Sequence, residues 1–562
     1  MAGLASAVKL ASFLCIIFIA PWMASAALVQ HNFTIGTQNV TRVCNTETIV
    51  TVNGQYPGPT ITVDEGDNLI VEVQNDGPYN VTIHWHGVKQ FGSPWADGPS
   101  YITQCPIAPG NKYTYNFTIT GQEGTLWWHA HILYLRATVH GALVIKPGAG
   151  NDYPFSEPDD EIPIILGEWW NANVQDVILD AIATGAVPND SDAYTINSQP
   201  GDFFPCSSND TVRFLVEMGK TYLLRIVNAA MIHTSFFKIA QHNMTVVAMD
   251  AVYVKPYTTD VLLIAPGNTM DVLITTDQEV GLYYVGTRVY NSQPDGTQYL
   301  NTSATAILQY EGALNTSTPL LPDFPDYNDT DTAFNFSSSL RSLNSSVPQT
   351  VDVEMYITEG LGLITCPDNS CPENNGVRGV GSFNNISFVD PDIAILQAYY
   401  NDIDGVFTRD FPDNPPVEFN YTEADIPLSF WAPDTGTRVK VLEFNSTVQV
   451  VFQNTGIITF ESHPIHLHGH DFYLVGQGFG NYNNETDPAN FNLVDPQMLN
   501  TLGVPTGGWA AIRFVANNPG VWLVHCHFES HSSLGFDMVF LTYNGPEDAD
   551  IVPPPPSDLP QC

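Results

Sequence analysis

The stretch His525-Cys526-His527-Phe528-Glu529-Ser530-His531, near the carboxyl end of the chain, decides how the rest of the sequence is interpreted. If it begins as a β-strand, its side chains alternate between two faces. His525 and His527 then point to one side and Cys526 to the other. A cysteine that faces a further histidine, here His531, is typical of a thiolate–imidazole copper site. The two histidines on the opposite face can serve a second metal group, joined to Cys526 by peptide bonds.

Most histidines of the chain lie in four short clusters, which hold 11 of the 15. The clusters are His84-Trp85-His86, His129-Ala130-His131, His463-Pro464-Ile465-His466-Leu467-His468-Gly469-His470 and the stretch quoted above. Each contains a His-x-His pair, a spacing that places two imidazoles on one face of a strand. One such pair is usually a solvated surface feature, but four pairs, one of which encloses a cysteine, predict a metal centre. Structural zinc is disfavoured because it needs only four ligands.

In these clusters the sequence resembles the multicopper oxidase family. The family pattern is H-x-H-G, H-x-H, H-P-x-H-x-H and H-C-H-x-x-x-H in that order, and it is unbroken here. The resemblance extends over nearly the whole chain. It is closest to the plant laccase branch, through stretches such as NGQYPGPTITVDEGD (residues 53–67) and YTINSQPGDFFPCS (residues 194–207).

The resemblance implies a secreted laccase that oxidises phenolic substrates, monolignols or related diphenols of lignin metabolism, by one electron at a type 1 copper. It also implies that dioxygen is reduced to water by four electrons at a three-copper cluster. Ascorbate oxidase is the nearest alternative because it has the same ligand pattern. A ferroxidase and a non-catalytic copper-binding wall protein are further alternatives. The first is disfavoured because no Met-rich insertion occurs, and the second because no ligand is missing.

The resemblance also implies which residues hold the four copper ions, one of type 1, one of type 2 and two of type 3. The expected ligands are His463, Cys526 and His531 for type 1, His84 and His466 for type 2, His131, His468 and His525 for one type 3 ion, and His86, His129 and His527 for the other. His470 has no place in this scheme and is interpreted as structural.

Two further residues acquire expected roles from the resemblance. Asp97 matches the family's acidic residue near the type 2 copper and is a candidate catalytic proton relay; an Asx-turn before Gly98-Pro99 is the alternative. Phe536 occupies the axial position of the type 1 site, ten residues after the copper cysteine. Since phenylalanine has no donor atom, we expect a three-coordinate type 1 copper, unless a β-bulge brings Met538 to the site.

The fold class is predicted from the length of the chain and from the turn residues that separate its strand-like segments. A chain of 562 residues suits three or four domains. Short strand-like runs end at turn residues such as Asn53-Gly54, with little helical periodicity, which predicts an all-β protein of sandwich domains. GTLWWHAH, from Gly124, aligns with GVWLVHCH, from Gly520, and GLYYVGTR, from Gly281, is a third copy. The family resemblance implies three cupredoxin-like Greek-key sandwiches.

The predicted boundaries are residues 1–26 for a secretory signal peptide, 27–148 for domain 1, 149–312 for domain 2, and 313–562 for a linker and domain 3. Domains 1 and 3 would supply all copper ligands, and domain 2 none. We expect Trp127, Trp128, Trp169 and Trp170 to lie in the core.

Composition restricts the partners and the location. A net charge of −41 disfavours nucleic acid and anionic membrane surfaces as partners. No stretch after the signal is long and apolar enough to span a membrane. Sixteen Asn-x-Ser/Thr sequons suit a secreted glycoprotein of the extracellular space, the apoplast or the cell wall. Many plant laccases are basic, so the acidity is a departure. We expect a monomer.

The cysteines agree with an oxidising compartment. Of eight, Cys15 lies in the predicted signal and Cys526 is the candidate ligand, which leaves six and therefore fifteen possible pairings. The family resemblance favours Cys105 with Cys562 and Cys44 with Cys206, leaving Cys366 with Cys371.

Overall fold

A computed structural model describes residues 26–293, 300–315, 317–366, 371, 374, 376–423 and 426–562. The predicted signal peptide therefore lies outside the described residues, apart from Ala26. The described chain is mainly β-strand, with four short α-helices, so the all-β prediction is confirmed. Within these residues no helix has the length and apolar character to cross a membrane.

The first structural unit consists of eight strands in two sheets. Their bounds are β1 Leu28–Arg42, β2 Asn45–Val52, β3 Ile61–Asp64, β4 Asn68–Asn75, β5 Ile83–His86, β6 Lys112–Thr118, β7 Gly124–Ala130 and β8 His140–Lys146. The sheet orders are β2-β1-β4-β6 and β3-β8-β7-β5. β4 shows why these segments are strands: Leu69, Val71 and Val73 alternate with more exposed residues and are fully buried between the sheets.

In the second unit, the described residues form eleven strands and one helix. Their bounds are β9 Asp160–Trp169, α1 Val174–Thr184, β10 Ala193–Ile196, β11 Arg213–Val216, β12 Thr221–Asn228, β13 Ser235–Ile239, β14 Met244–Met249, β15 Val252–Thr259, β16 Leu262–Ile264, β17 Thr269–Thr275, β18 Leu282–Val289 and β19 Thr305–Tyr310. The sheet orders are β10-β9-β12-β17-β14-β15 and β11-β19-β18-β13-β16.

In the third unit and the segment before it, the part of the chain that the structure describes forms thirteen strands and three helices. Their bounds are α2 Thr330–Ser339, β20 Val353–Thr365, β21 Val377–Phe383, β22 Ile386–Ser387, α3 Ile395–Tyr400, β23 Asp434–Thr435, β24 Val439–Leu442, β25 Thr447–Asn454, β26 His463–Leu467, β27 Phe472–Phe479, β28 Gln497–Leu499, β29 Thr501–Val504, β30 Gly508–Val515, β31 Gly520–Cys526, α4 Glu529–Ser532 and β32 Asp537–Thr542. The sheet orders are β23-β22-β21-β20-β25-β30-β27-β28 and β24-β32-β31-β26-β29.

The three units repeat one topology. In each, the first long strand pairs in parallel with a later one: β1 with β4, β9 with β12, and β20 with β25. The predicted sequence repeat coincides with this structural repeat, because β7, β18 and β31 occupy equivalent interior positions in the second sheet of each unit. In β18, Gly286 and Arg288 stand where the other two copies have histidine. The predicted domain boundaries are not tested by this repeat and stay predictions.

Disulfides and tryptophans agree with the expectations. The bonded pairs are Cys44–Cys206, Cys105–Cys562 and Cys366–Cys371. All four of the tryptophans assigned to the core are at most 3% exposed. The second disulfide fixes the carboxyl-terminal tail to the first unit, where Val552 and Leu559 also join the core.

Candidate copper centres

The candidate ligands lie on four strands, or in the segments that follow three of them, where the first and third units meet. β5 pairs with β7, which sets His84 opposite His129. β26 pairs with β31, which sets His466 opposite His525. His131 directly follows the end of β7 and is half-buried. Strand pairing therefore brings the motif at His84 beside the motif at His129, and the motif at His466 beside the motif at His525.

The stretch His525 to His531 is only partly a strand. β31 ends at Cys526, one residue after the last pair of the β31–β32 ladder, His525 with Asp537. The amide of His527 still donates to the carbonyl of Pro464 on β26 (2.6 Å), in the register of the β26–β31 pair. His531 lies on α4, where the turn from Phe528 brings it back over the sulfur of Cys526. The predicted alternation of His525, Cys526 and His527 between two faces nevertheless holds, since their side chains enter different groups.

Each of the ligand sets expected for the type 1 and type 3 ions is a compact group. In each group the possible ligand atoms lie within 4.8 Å of one another; the groups are His463–Cys526–His531, His131–His468–His525 and His86–His129–His527. The expected type 2 pair, His84 and His466, falls in a group with His86. In the first group, the Sγ of Cys526 lies 3.8 Å from Nδ1 of His463 and 3.6 Å from Nδ1 of His531.

The hydrogen bonds of the clustered histidines show which ring nitrogens remain open to a metal ion. In several rings Nδ1 faces a carbonyl or carboxylate oxygen: Asp97 O for His84 (2.7 Å), Ala130 O for His129 (2.9 Å), Asn500 O for His466 (2.8 Å), Asp97 Oδ2 for His468 (2.9 Å) and Cys526 O for His525 (3.1 Å). The Nε2 atoms of these five rings and of His131 are buried without a hydrogen-bond partner among the described residues. Each such lone pair costs free energy unless something binds it.

The donor set identifies the kind of metal. Neutral imidazoles with one oriented N–H and one open lone pair are the usual metal-ligand form of histidine. Burial, and then the neighbouring rings, lower the pKa of His86 and His468 well below its ordinary value, which keeps them neutral. Two imidazoles with a single thiolate, next to a cluster of imidazoles alone, suit copper. The residues present therefore fit copper.

Cys526 lies deep in the core of the third unit and is fully buried. Burial raises the pKa of its thiol well above the ordinary value, so the thiolate form requires a bound cation. Phe536 lies opposite Cys526: the Cys526 amide donates to the Phe536 carbonyl (3.1 Å), and the Phe536 ring is 4.9 Å from the His463 ring. Met538 pairs with Val524 in a regular ladder without a bulge.

Asp97 is fully buried between two of the clustered rings. Its Oδ2 accepts from Nδ1 of His468 (2.9 Å), and its Oδ1 lies 3.4 Å from Nδ1 of His84. The carboxylate is thus directed at the histidines, whereas the amide of Gly98 donates to Thr103. Asp97 therefore contacts two of the candidate ligands, His84 and His468.

Sequence reasoning did not find several polar residues of this region. Thr501 Oγ1 lies 3.0 Å from Nε2 of His86, and Arg136 Nη1 lies 2.8 Å from Nδ1 of His527. Arg136 also pairs with Glu529 at 3.2 Å. None of these residues belongs to a His-x-His pattern, so spacing gave no signal for them. Glu529 lies inside the quoted motif and could have been suspected.

His470, the clustered histidine interpreted as structural, lies outside every such group among the described residues. Its Nδ1 faces the carbonyl of His468 at 3.2 Å, and its ring packs against Phe514 and Trp522. This placement agrees with a structural role.

Comparison with known proteins gives one consistent result. Multicopper oxidase family models match residues 34–150, 160–313 and 410–546. The chain is 51% identical over 556 residues to Laccase-12 of Arabidopsis thaliana, covering 98% of both chains. It is 51% identical over 560 residues to Laccase-24 of Oryza sativa subsp. japonica, covering 96% of this chain and 97% of that one. The laccase of Botrytis aclada superimposes with a TM-score of 0.71 at 28% identity, covering 94% of this chain and 89% of that one.

Proposed function

Because the chain belongs to the multicopper oxidase family, we propose that it is a laccase, which takes single electrons from phenolic substrates and reduces dioxygen to water. The observation that carries this proposal is the pairing of one buried thiolate group with a separate, adjoining set of imidazoles whose lone pairs converge. Copper bound in these groups supplies one-electron redox chemistry that the side chains alone lack.

The four expected ligand sets are part of the proposal. His463, Cys526 and His531 would hold the type 1 ion, and His84 and His466 the type 2 ion. His131, His468 and His525 would hold one type 3 ion, and His86, His129 and His527 the other. Metal analysis of the purified protein should then give four copper ions per chain. A value of three or fewer in fully loaded protein would contradict this assignment.

Electrons from the substrate would be taken up at His531. Its exposed fraction is 9%, against 1% for His463, so it is the more accessible ring of the thiolate group. Glu461 lies beside it, with Oε2 3.6 Å from Nε2 of His531. From this group, the backbone of Cys526 leads directly to His525 and His527, which is a covalent route of a few bonds to the imidazole cluster.

Asp97 would orient His84 and His468 and hold a proton close to them. The reduction of dioxygen to water consumes protons, and the cluster is buried, so a carboxylate within hydrogen-bond reach can relay them. Support for this role is positional: Asp97 is the carboxylate that contacts both rings.

The location and assembly are proposed on simpler grounds. Sixteen sequons and three disulfides support a secreted glycoprotein. All proposed ligands come from one chain, so a monomer suffices. Amino-terminal sequencing, deglycosylation and light scattering of the secreted protein would test signal removal, sequon use and mass. An unprocessed amino terminus, absent glycans or a dimeric mass would contradict the respective proposal.

The substrate comparison tests the activity itself. Oxygen uptake should be measured with a monolignol, with ascorbate and with Fe(II) at matched concentrations. We expect the phenol to give the highest kcat/KM, with four phenols consumed per dioxygen and no hydrogen peroxide released. Preference for ascorbate or for Fe(II) would overturn the laccase proposal in favour of those activities, and release of peroxide would overturn the four-electron step.

A further inference from the structure

The second unit, which contributes none of the proposed copper ligands, reaches the imidazole cluster through a tight hairpin. β14 and β15 are joined by the two residues Asp250 and Ala251, since Met249 pairs directly with Val252. Both turn residues have positive φ values, 51° and 57°. Such a turn normally contains Asn-Gly or Asp-Gly, because alanine pays a conformational penalty in the left-handed region. Backbone strain of this kind is retained where the surroundings over-determine it.

The carboxylate of Asp250 binds the third unit. It is 1% exposed, and its Oδ2 accepts from the backbone amides of Asn500 and Thr501, both at 3.2 Å. Its Oδ1 accepts from the amide of Thr269 at 3.0 Å. The side chain of Asn268 donates to Asp250 and also to the carbonyl of Thr501, at 2.9 Å. Among the described residues no basic side chain pairs with Asp250. Burial raises its pKa to about 7.

The segment held in this way contacts two rings of the cluster. The carbonyl of Asn500 is 2.8 Å from Nδ1 of His466, and the hydroxyl of Thr501 is 3.0 Å from Nε2 of His86. The Thr501 hydroxyl also donates to the side-chain oxygen of Asn500 at 2.9 Å. It can therefore accept the N–H of His86, which leaves the Nδ1 lone pair of that ring facing His527 (3.1 Å).

Gly267 of the second unit also packs tightly against the imidazole cluster. Gly267 has a φ of +97°, and a Cβ at this position would lie 3.1 Å from ring atom Cγ of His527 and 3.1 Å from the methyl carbon of Thr501. The indole of Trp127, on the strand that carries His129, donates to the carbonyl of Gly267 at 3.1 Å. The hairpin and Gly267 together fix Asn500 and Thr501 from one side.

We propose that Asp250 is a positioning residue for the cluster: it fixes Asn500 and Thr501, and through them the orientation and tautomer of His466 and His86. The inference rests on the proposed ligand sets, since His466 is assigned to the type 2 ion and His86 to a type 3 ion. It assigns the second unit a direct part in the metal centre.

The test compares Asp250→Ala and Asp250→Asn with Asp260→Asn, a matched change of an exposed aspartate in the same unit. Each copper-loaded full-length protein is assayed for blue absorption, for the type 2 electron paramagnetic resonance signal, and for the rate at which a chelator removes copper. We expect chelation of the type 2 ion to be about tenfold faster or more in Asp250→Ala, with an altered type 2 signal and unchanged blue absorption. Asp250→Asn should be intermediate, because its amide oxygen can still accept from Asn500 and Thr501.

If Asp250 acts in folding alone, Asp250→Ala should lower the unfolding temperature and release type 1 and type 2 copper in parallel. Alternatively, it should leave the type 2 signal as in the wild type. Either result overturns the proposal. If Asp250→Ala does not fold, Asp250→Asn decides by the same readouts. Asp250→Ala and Thr501→Val are also combined in a double-mutant cycle. If Asp250 acts through Thr501, the double variant should lose copper no faster than the single variant that loses it faster. Additive rates would also overturn it. A wild-type protein without a type 2 signal would instead contradict the proposed function.

Discussion

Cys526 belongs to two environments at once. Its sulfur lies in the core of the third unit with Phe536 and Met538, while its backbone neighbours His525 and His527 carry rings into the interface with the first unit. This division follows from strand alternation, which is why it could be predicted from seven residues. The partners of the two rings could be predicted only through the family resemblance, because three of the four, His86, His129 and His131, come from segments some 400 residues earlier in the chain.

The first prediction concerns the thiolate. Cys526→Ser should abolish the strong blue absorption and phenol oxidation, because a serine hydroxyl does not form the copper–thiolate bond. The imidazole groups do not include Cys526, so three copper ions per chain should remain. Absorption spectra and metal analysis measure both effects. Blue colour in this variant would refute the assignment.

The second prediction concerns the axial side of the same group. Phe536→Met introduces a thioether opposite Cys526, and electron donation from sulfur stabilises the oxidised ion. The type 1 potential should fall by about 60 mV or more, equivalent to a tenfold change in the one-electron equilibrium. Redox titration of the blue absorption measures the shift.

Met538→Leu is the matched control, because Met538 pairs with Val524 in an unbroken ladder and is fully buried. Its potential should stay within the error of the titration. A marked rise in the control, or no fall in Phe536→Met, would contradict the expected three-coordinate type 1 copper.

At the scale of the elements, the sequence repeat predicted the positions of equivalent strands as well as those of ligands. The copy that begins at Gly281 carries no histidine, yet its strand β18 occupies the same interior position as β7 and β31. Periodicity and turn residues are local, and so they survive in a unit without a metal group. The end of β31 at Cys526 could not be predicted, because it depends on where the pairing with β32 stops, at His525 with Asp537.

The third prediction concerns the turn that presents Asp97. Gly98 has a φ of +99°, and a Cβ there would lie 1.9 Å from the carbonyl oxygen of Ile83, next to His84. Gly98→Ala must therefore separate Asp97 from β5, at a cost of roughly 3 kcal/mol or more. Type 2 copper should be lost first, measured by electron paramagnetic resonance.

Gly110→Ala separates the steric effect from the backbone effect. Gly110 also has a positive φ, +84°, but a Cβ at this position would meet no other atom within 4 Å. This change should cost only about 1–2 kcal/mol and leave the copper content unchanged. Equal losses in the two variants would show that the contact between Gly98 and Ile83 does not matter.

At the scale of the whole molecule, the second unit shows where sequence reasoning stops. It has no metal-binding motif, and its predicted contribution to the ligands was none. Its contact with the cluster runs from Asp250 to backbone amides of Asn500 and Thr501, 250 residues away. Amide groups have no sequence signature, so such a contact becomes visible only when the three units are assembled.

The molecule also carries carboxyl groups that burial disfavours in their charged form, within a chain of net charge −41. Glu359, on β20, is 1% exposed and accepts one hydrogen bond, from Asn454 at 3.2 Å. Burial raises its pKa to about 8 from an ordinary value of 4.5. Between these two values the folded state binds the proton that the unfolded chain has released. The free energy of unfolding therefore decreases as pH rises from about 4.5 to 8.

The last prediction isolates this effect with Glu359→Gln, which mimics the protonated carboxyl group at every pH. Variant and wild type should unfold at the same temperature near pH 4, where both carry a neutral side chain. At pH 8 the variant should be more stable by on the order of 3 kcal/mol, or roughly 5–10 °C in a unit of this size. Glu354→Gln, an exposed position on the same strand, should show no such divergence. Thermal melts of the three proteins across this pH range measure the difference. A gap between Glu359→Gln and wild type that is constant with pH would show that the substitution acts by packing rather than by proton binding.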